Sequence, residues 1–199
     1  VSNVRFIFVG LAGLWGMTGA RSHRLFERLG DSLPYRVFFA VVAMIALGFG
    51  YYHWELSTDQ LFWDRLPMSV AFMAFFAAFT GCVGIVWVLL IALALGVVSL
   101  VYWSWFGGFG RGDLRPFALI QFGPILILSL MAGFFPESRS TEGRFLAGVL
   151  VIYGLAIVVA LFDHEILNLT GGVISGHSLE HLITTVRYVF PLAMLRASG

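Results

Sequence analysis

His177 and His181 stand four residues apart near the C-terminal end of this 199-residue chain, and His53 and Asp64 stand eleven residues apart in its first third. On a helix, positions i and i+4 share a face, so the first two imidazoles can serve one metal ion. A third imidazole from another helix completes a three-histidine set with an open fourth position, the donor arrangement of catalytic zinc. A nearby carboxylate can then handle the proton of a metal-activated water. Ionisable groups inside apolar segments are costly and tend to mark functional sites.

Each of these residues also has a plainer reading. A histidine at a helix end is commonly a hydrogen-bonded or interfacial group, and a polar i, i+4 pair can arise by chance. Asp64 precedes Arg65-Leu66-Pro67, which reads as an N-cap followed by a first turn that tolerates proline. Capping and proton transfer are compatible, since one carboxylate oxygen can cap while the other faces a site. His164, between Asp163 and Glu165, and His23, among arginines, are read as surface or loop groups.

The elements that must carry these residues follow from composition. Hydrophobic residues make up 59% of the chain and charged residues 12%, with a mean hydropathy of +0.91; an average soluble domain is about 25% charged. The expectation is an all-α integral membrane protein forming one domain over residues 1–199. Seven apolar segments are expected at 4–19, 37–53, 66–81, 85–106, 117–134, 145–162 and 176–195, parted by polar breaks such as 107–116 and 163–175. The break at 80–84 is the shortest; without it, segments three and four would form one helix long enough to cross a bilayer twice. The runs lack the alternating polarity of a barrel. The start at Val1 rather than Met, with an apolar run almost at once, gives the expectation of a missing native N-terminus.

Other features are read as packing or exclusion. Gly10, Gly13, Gly16 and Gly19 recur every third residue and make a smooth stripe along which a neighbouring helix can come close. Trp63, Trp103 and Trp105 lie near segment ends, where interfacial aromatics collect. Cys82 is the single cysteine, so an internal disulfide is excluded. A net charge of +1 gives no case for a nucleic-acid partner.

Arginine placement orients the segments. Seven spans put Arg21, Arg24, Arg28, Arg36, Arg139, Arg144 and Arg196 on one side and Arg5, Arg65, Arg111 and Arg115 on the other. The richer side is expected in the cytoplasm. His53 ends the second span, Asp64 opens the third, and His177 and His181 open the seventh, so all four fall on the Arg-poor side. A count of six or eight, with the extra break between Asp64 and His177, would have separated them.

Gly50-Tyr51-Tyr52-His53, then Trp63-Asp64-Arg65-Leu66-Pro67-Met68, resembles the second-to-third helix region of alkaline ceramidases and their bacterial relatives. Ser175-Gly176-His177-Ser178-Leu179-Glu180-His181-Leu182 resembles that family's final-helix HxxxH motif, and Ser2-Asn3, Gly112-Asp113-Leu114-Arg115 and Gln121 are similar to its bacterial branch. The ordered combination runs along nearly the whole chain. The resemblance implies a seven-helix membrane hydrolase with zinc on His53, His177 and His181 and a catalytic aspartate at Asp64. It also implies a substrate such as ceramide or another N-acyl lipid; the expected place is a bacterial inner membrane, with the arginine distribution putting the site toward the non-cytoplasmic side. Adiponectin receptors and proteins that remodel GPI-anchor lipids are more distant members of the superfamily, so the residue set does not specify the lipid. One departure is Phe49, where the family usually has a serine four residues before the first zinc histidine; phenylalanine cannot supply that hydroxyl. The family's acidic calcium cluster precedes the first helix, ahead of where this sequence begins, so calcium is not among the predicted cofactors.

The expected chemistry is hydrolysis of an amide by a zinc-bound water whose pKa falls to about 7. Asp64 takes its proton and returns it to the departing amine. Two other readings stay open: a zinc-containing receptor or lipid-binding protein without hydrolase activity, and a haem-binding electron carrier. The last is disfavoured because axial histidines should lie on different helices, whereas His177 and His181 share one.

Overall fold

The computed structural model describes residues 4–18, 26, 29–54, 58–80, 84–107, 113, 115–134, 141–174, 176, 179–180 and 183. Among these, every regular element is helical: α1 Val4–Gly16, α2 Leu29–Trp54, α3 Thr58–Thr80, α4 Ile85–Gly107, α5 Arg115–Phe134, α6 Thr141–Leu161 and the short α7 Asp163–Leu169. Gly176, Leu179, Glu180 and Ile183 are also helical. The all-α expectation holds for the described residues. Apolar composition is the cause, because an apolar segment can satisfy its own backbone only by bonding along itself or by closing a barrel.

Among the described residues, three helices are long and apolar enough to cross a membrane: Gly30–Tyr51, Gln60–Thr80 and Ile85–Gly107. Val4–Gly16 and Arg115–Met131 are shorter apolar helices, and Leu146–Val159 with Asp163–Leu169 form a pair bent by 72°. The fold is therefore compatible with a membrane protein, and the expected seventh span, 176–195, lies almost wholly outside the described residues. These seven helices are not the seven expected spans, since α7 occupies what the sequence reads as a loop.

The short break after α3 is real. Thr80 ends one helix, Ile85 begins the next, and Gly84 turns the chain at φ +86°, a conformation open to glycine at no steric cost. α2, α3 and α4 therefore run up, down and up as packed neighbours. Gly30 of α2 meets Val86 of α4 at one end, and the Arg65 guanidinium of α3 meets Trp103 of α4 and Phe117 of α5 at the other.

α1 packs on α2 through the glycine stripe. A Cβ at Gly10 would come within 2.6 Å of the Phe39 carbonyl oxygen, and one at Gly13 would overlap the Phe39 ring. Phe6 of α1 stacks on Phe49 of α2, with ring centroids 6.1 Å apart. The core fills the space between α1, α2 and α3 with Phe38, Phe39, Val42, Ile45, Ala74 and Ala77, and Leu128 and Val149 join it from α5 and α6. Tyr153 ties α6 in by meeting Phe72 of α3 and Phe122 of α5 edge-on.

Candidate functional site

Asp64 lies inside α3, as its seventh residue, and is only 5% exposed. This corrects the expectation of an N-cap with proline in the first turn. The helix begins at Thr58 rather than near Leu66, so Pro67 falls in its interior. Proline there gives no N–H to the carbonyl four residues back, which belongs to Trp63. Gly48 of α2 faces that carbonyl: a Cβ on Gly48 would lie 2.8 Å from the Trp63 oxygen, 3.2 Å from Pro67 Cγ and 3.3 Å from Asp64 Cα. A smooth residue on α2 thus meets the irregular turn of α3, and that contact holds the Asp64 backbone against α2.

Two polar neighbours share this end of α3. Gln60, one turn before Asp64 on the same face, is 6% exposed. Arg65 turns the other way. Its guanidinium lies 4.9 Å from the Trp103 ring centroid and 5.1 Å from that of Phe117, a paired cation–π contact worth about 0.5–2 kcal/mol for each ring. Trp103 is correspondingly buried, while Trp63 and Trp105 are exposed. Of the three tryptophans expected at an interface, Trp103 is instead a partner for a half-buried cation.

α2 continues six residues past Gly48 and ends at Trp54, with His53 in its last turn. Only the backbone of His53 is described. By register it follows Phe49 by one turn, and Phe49 is buried on Phe6. His177 and His181 lie outside the described residues. Among the described residues, no group of three or more His, Cys, Asp or Glu side chains could hold a metal ion.

The residue before His177 is placed, however. A Cβ on Gly176 would come within 2.5 Å of the Val159 carbonyl oxygen and 2.6 Å of Asp163 Cα, so Gly176 is pressed into the bend between α6 and α7. Tyr153 of α6 touches Phe72 of α3. Eight residues from that contact, about 12 Å along each helix, α3 reaches Asp64 and α6 reaches Leu161. The bend, Gly176, Asp64 and the end of α2 therefore sit at one end of the molecule. Gly48, Gln60 and Gly176 were not picked out from the sequence. A buried glutamine one turn before an aspartate was visible as a polar i, i+4 pair, whereas the two glycines declare themselves only through what they touch.

An apolar groove of about 670 Å³ opens beside this end, lined among others by Met44, Leu47, Tyr51, Trp63, Val70 and Val97. Gly48 and Pro67 also line it. A tighter apolar cleft among Phe38, Phe75, Pro124, Leu128 and Val149 lies toward the middle of the helices, away from Asp64. The chain matches no protein-family model, no curated protein and no solved structure.

Proposed function

We propose that the chain is a seven-span, zinc-dependent membrane lipid amidase of the alkaline ceramidase type, acting on ceramide or a related N-acyl lipid. The observation that carries this reading is Asp64: a carboxylate 5% exposed inside an apolar helix, packed at Gly48 on the helix whose last turn includes His53. Ionisable groups inside apolar spans are rare and mark functional sites by default. The donor chemistry of three imidazoles with one carboxylate suits zinc, and His53 stands in the last turn of α2. His53, His177 and His181 would hold the ion, which when bound supplies a Lewis acid for water activation and oxyanion stabilisation.

The chain's own residues do the rest. Asp64 accepts a proton from the attacking water and returns it to the departing amine nitrogen. The apolar groove beside Gly48 and Pro67 suits a substrate whose acyl chain arrives from the bilayer while its amide reaches the buried carboxylate. The Arg-poor side, and with it the site, faces away from the cytoplasm.

Phe49 favours a second reading. Its ring is buried on Phe6, so no hydroxyl stands at that position to help a reaction, and a zinc-holding receptor or lipid-binding protein could do without one. Metal analysis of the purified chain, with mass spectrometry of ceramide and other N-acyl lipids before and after incubation, separates the two. One zinc per chain with release of a fatty acid and an amine supports the amidase. Zinc without product from the panel supports the second reading, and protein purified without zinc that takes none up overturns both.

A further inference from the structure

The turn of α3 that carries Asp64 is one hydrogen bond short. Pro67 has no N–H for the Trp63 carbonyl, so this turn has more rotational freedom than a fully bonded one, and neighbouring helices must supply what the missing bond does not. α2 meets the turn on one side, where a Cβ at Gly48 would lie 2.8 Å from the Trp63 oxygen and 3.3 Å from Asp64 Cα. α4 and α5 meet it through Arg65. The guanidinium lies 4.9 Å from the Trp103 ring centroid and 5.1 Å from that of Phe117, and its Nη1 is buried. Trp103 is itself only 8% exposed, so the ring that receives the cation is fixed in the packing between helices.

We propose that Arg65 is a positioning residue for Asp64: held by Trp103 and Phe117, its guanidinium fixes the rotation of the weakened turn and so the direction of the neighbouring carboxylate. The inference rests on the reading of Asp64 as the proton carrier. Asp64 and Arg65 share one planar peptide unit, so holding one residue constrains the other. An apolar side chain could fill the space between α3, α4 and α5 without the cost of a cation inside a span. What it could not supply is direction. A guanidinium is planar and stacks on aromatic faces, so two rings from two helices define where it lies, whereas a flexible methionine adapts to the gap it finds.

The test uses the full chain in detergent as wild type, Arg65→Met, Trp103→Leu and Trp103→Phe, with two readouts. One is the rate at which the apolar carboxyl reagent dicyclohexylcarbodiimide modifies Asp64, read by peptide mass. The other is kcat and KM on a fluorescent ceramide, with zinc content measured on the same preparation. Gly13→Val, which loosens α1 on α2 away from this turn, is the control for general destabilisation. Loss of the cation or of the Trp103 ring should let Asp64 swing out of its place. Arg65→Met and Trp103→Leu should then label several-fold faster and lose about 10²-fold in kcat with KM and zinc little changed, as a misplacement of about 1 Å can cause. Trp103→Phe keeps an aromatic face for the cation and should behave as the wild type does. Wild-type labelling and kcat in Trp103→Leu overturn the proposal even if Arg65→Met fails to fold, and so does equally fast labelling in Gly13→Val. A wild type that cleaves no ceramide counts against the amidase reading, while the labelling of Asp64 still decides the role of Arg65, which separates the two failures.

Discussion

Asp64 is a carboxylate set where solvent scarcely reaches it, between a glycine on one helix and a proline one turn ahead on its own. Its position inside α3 separates its chemistry from capping, so Asp64→Asn removes proton transfer without taking away a helix cap. The variant should keep its zinc, because Asp64 is outside the proposed ligand set. It should lose about 10²–10⁴-fold in amide hydrolysis, the usual contribution of a general acid–base group. Zinc content and turnover measured on the same preparation decide this, and wild-type turnover with full zinc would leave Asp64 a structural residue. The histidines should behave in the opposite way. His53→Ala, His177→Ala and His181→Ala should each fold yet bind little metal, since loss of one of three protein ligands leaves zinc to solvent. Full zinc content in His177→Ala would contradict the ligand set.

Among the elements, the contact of α2 with α3 does the most to shape the site. Pro67 withholds a hydrogen-bond donor from the Trp63 carbonyl, and Gly48 lets α2 lie against that turn. α1 is held to α2 by the same device on a larger scale. Gly13→Val should therefore lower stability by at least about 1–3 kcal/mol, because the added carbons must displace the Phe39 ring in a packed core. Thermal unfolding in detergent reads this, and an unchanged Tm would mean that α1 can move away freely. At α5, the Asp113 carboxylate accepts from the Arg115 N–H at 2.9 Å, a cap for the first turn. Asp113→Ala should cost about 1 kcal/mol. The nearby Arg115 guanidinium, 3.8 Å from the same oxygen and 93% exposed, adds no stabilisation that solvent would not screen.

At the scale of the whole molecule, the helices place Asp64 and the end of α2 at the end opposite Arg36, whose guanidinium donates to the Met17 carbonyl at 3.4 Å beside the close of α1. In the orientation proposed above, with the arginine-rich loops toward the cytoplasm, a cysteine at Val173, 81% exposed after α7, should react with an impermeant thiol reagent in intact cells lacking Cys82. A cysteine at Thr18, exposed at the other end, should react only after lysis. Ser32, on that same end, is only 1% exposed and would report burial rather than sidedness. The reverse labelling pattern would invert the orientation while leaving the residues at one end together.

The all-helical class, the separation of α3 from α4 and the packing role of Gly10 and Gly13 were legible in the amino-acid order, because each depends on local composition: an apolar run must bond its own backbone, a glycine permits a turn, and a small stripe permits approach. Grouping Asp64 with the end of α2 was legible too, since alternating helices return to the same side. Helix starts were not. The sequence reads Pro67 as a first-turn residue, and only α2, with Gly48 against the Trp63 carbonyl, shows why α3 can begin at Thr58 and carry a proline within it. The burial of Trp103 by Arg65 and of Gly176 by the α6–α7 bend depends likewise on residues far away in the chain. Local pattern settles whether a segment is helical; which face is buried, and what it is buried against, is decided by contacts between segments that no local pattern contains.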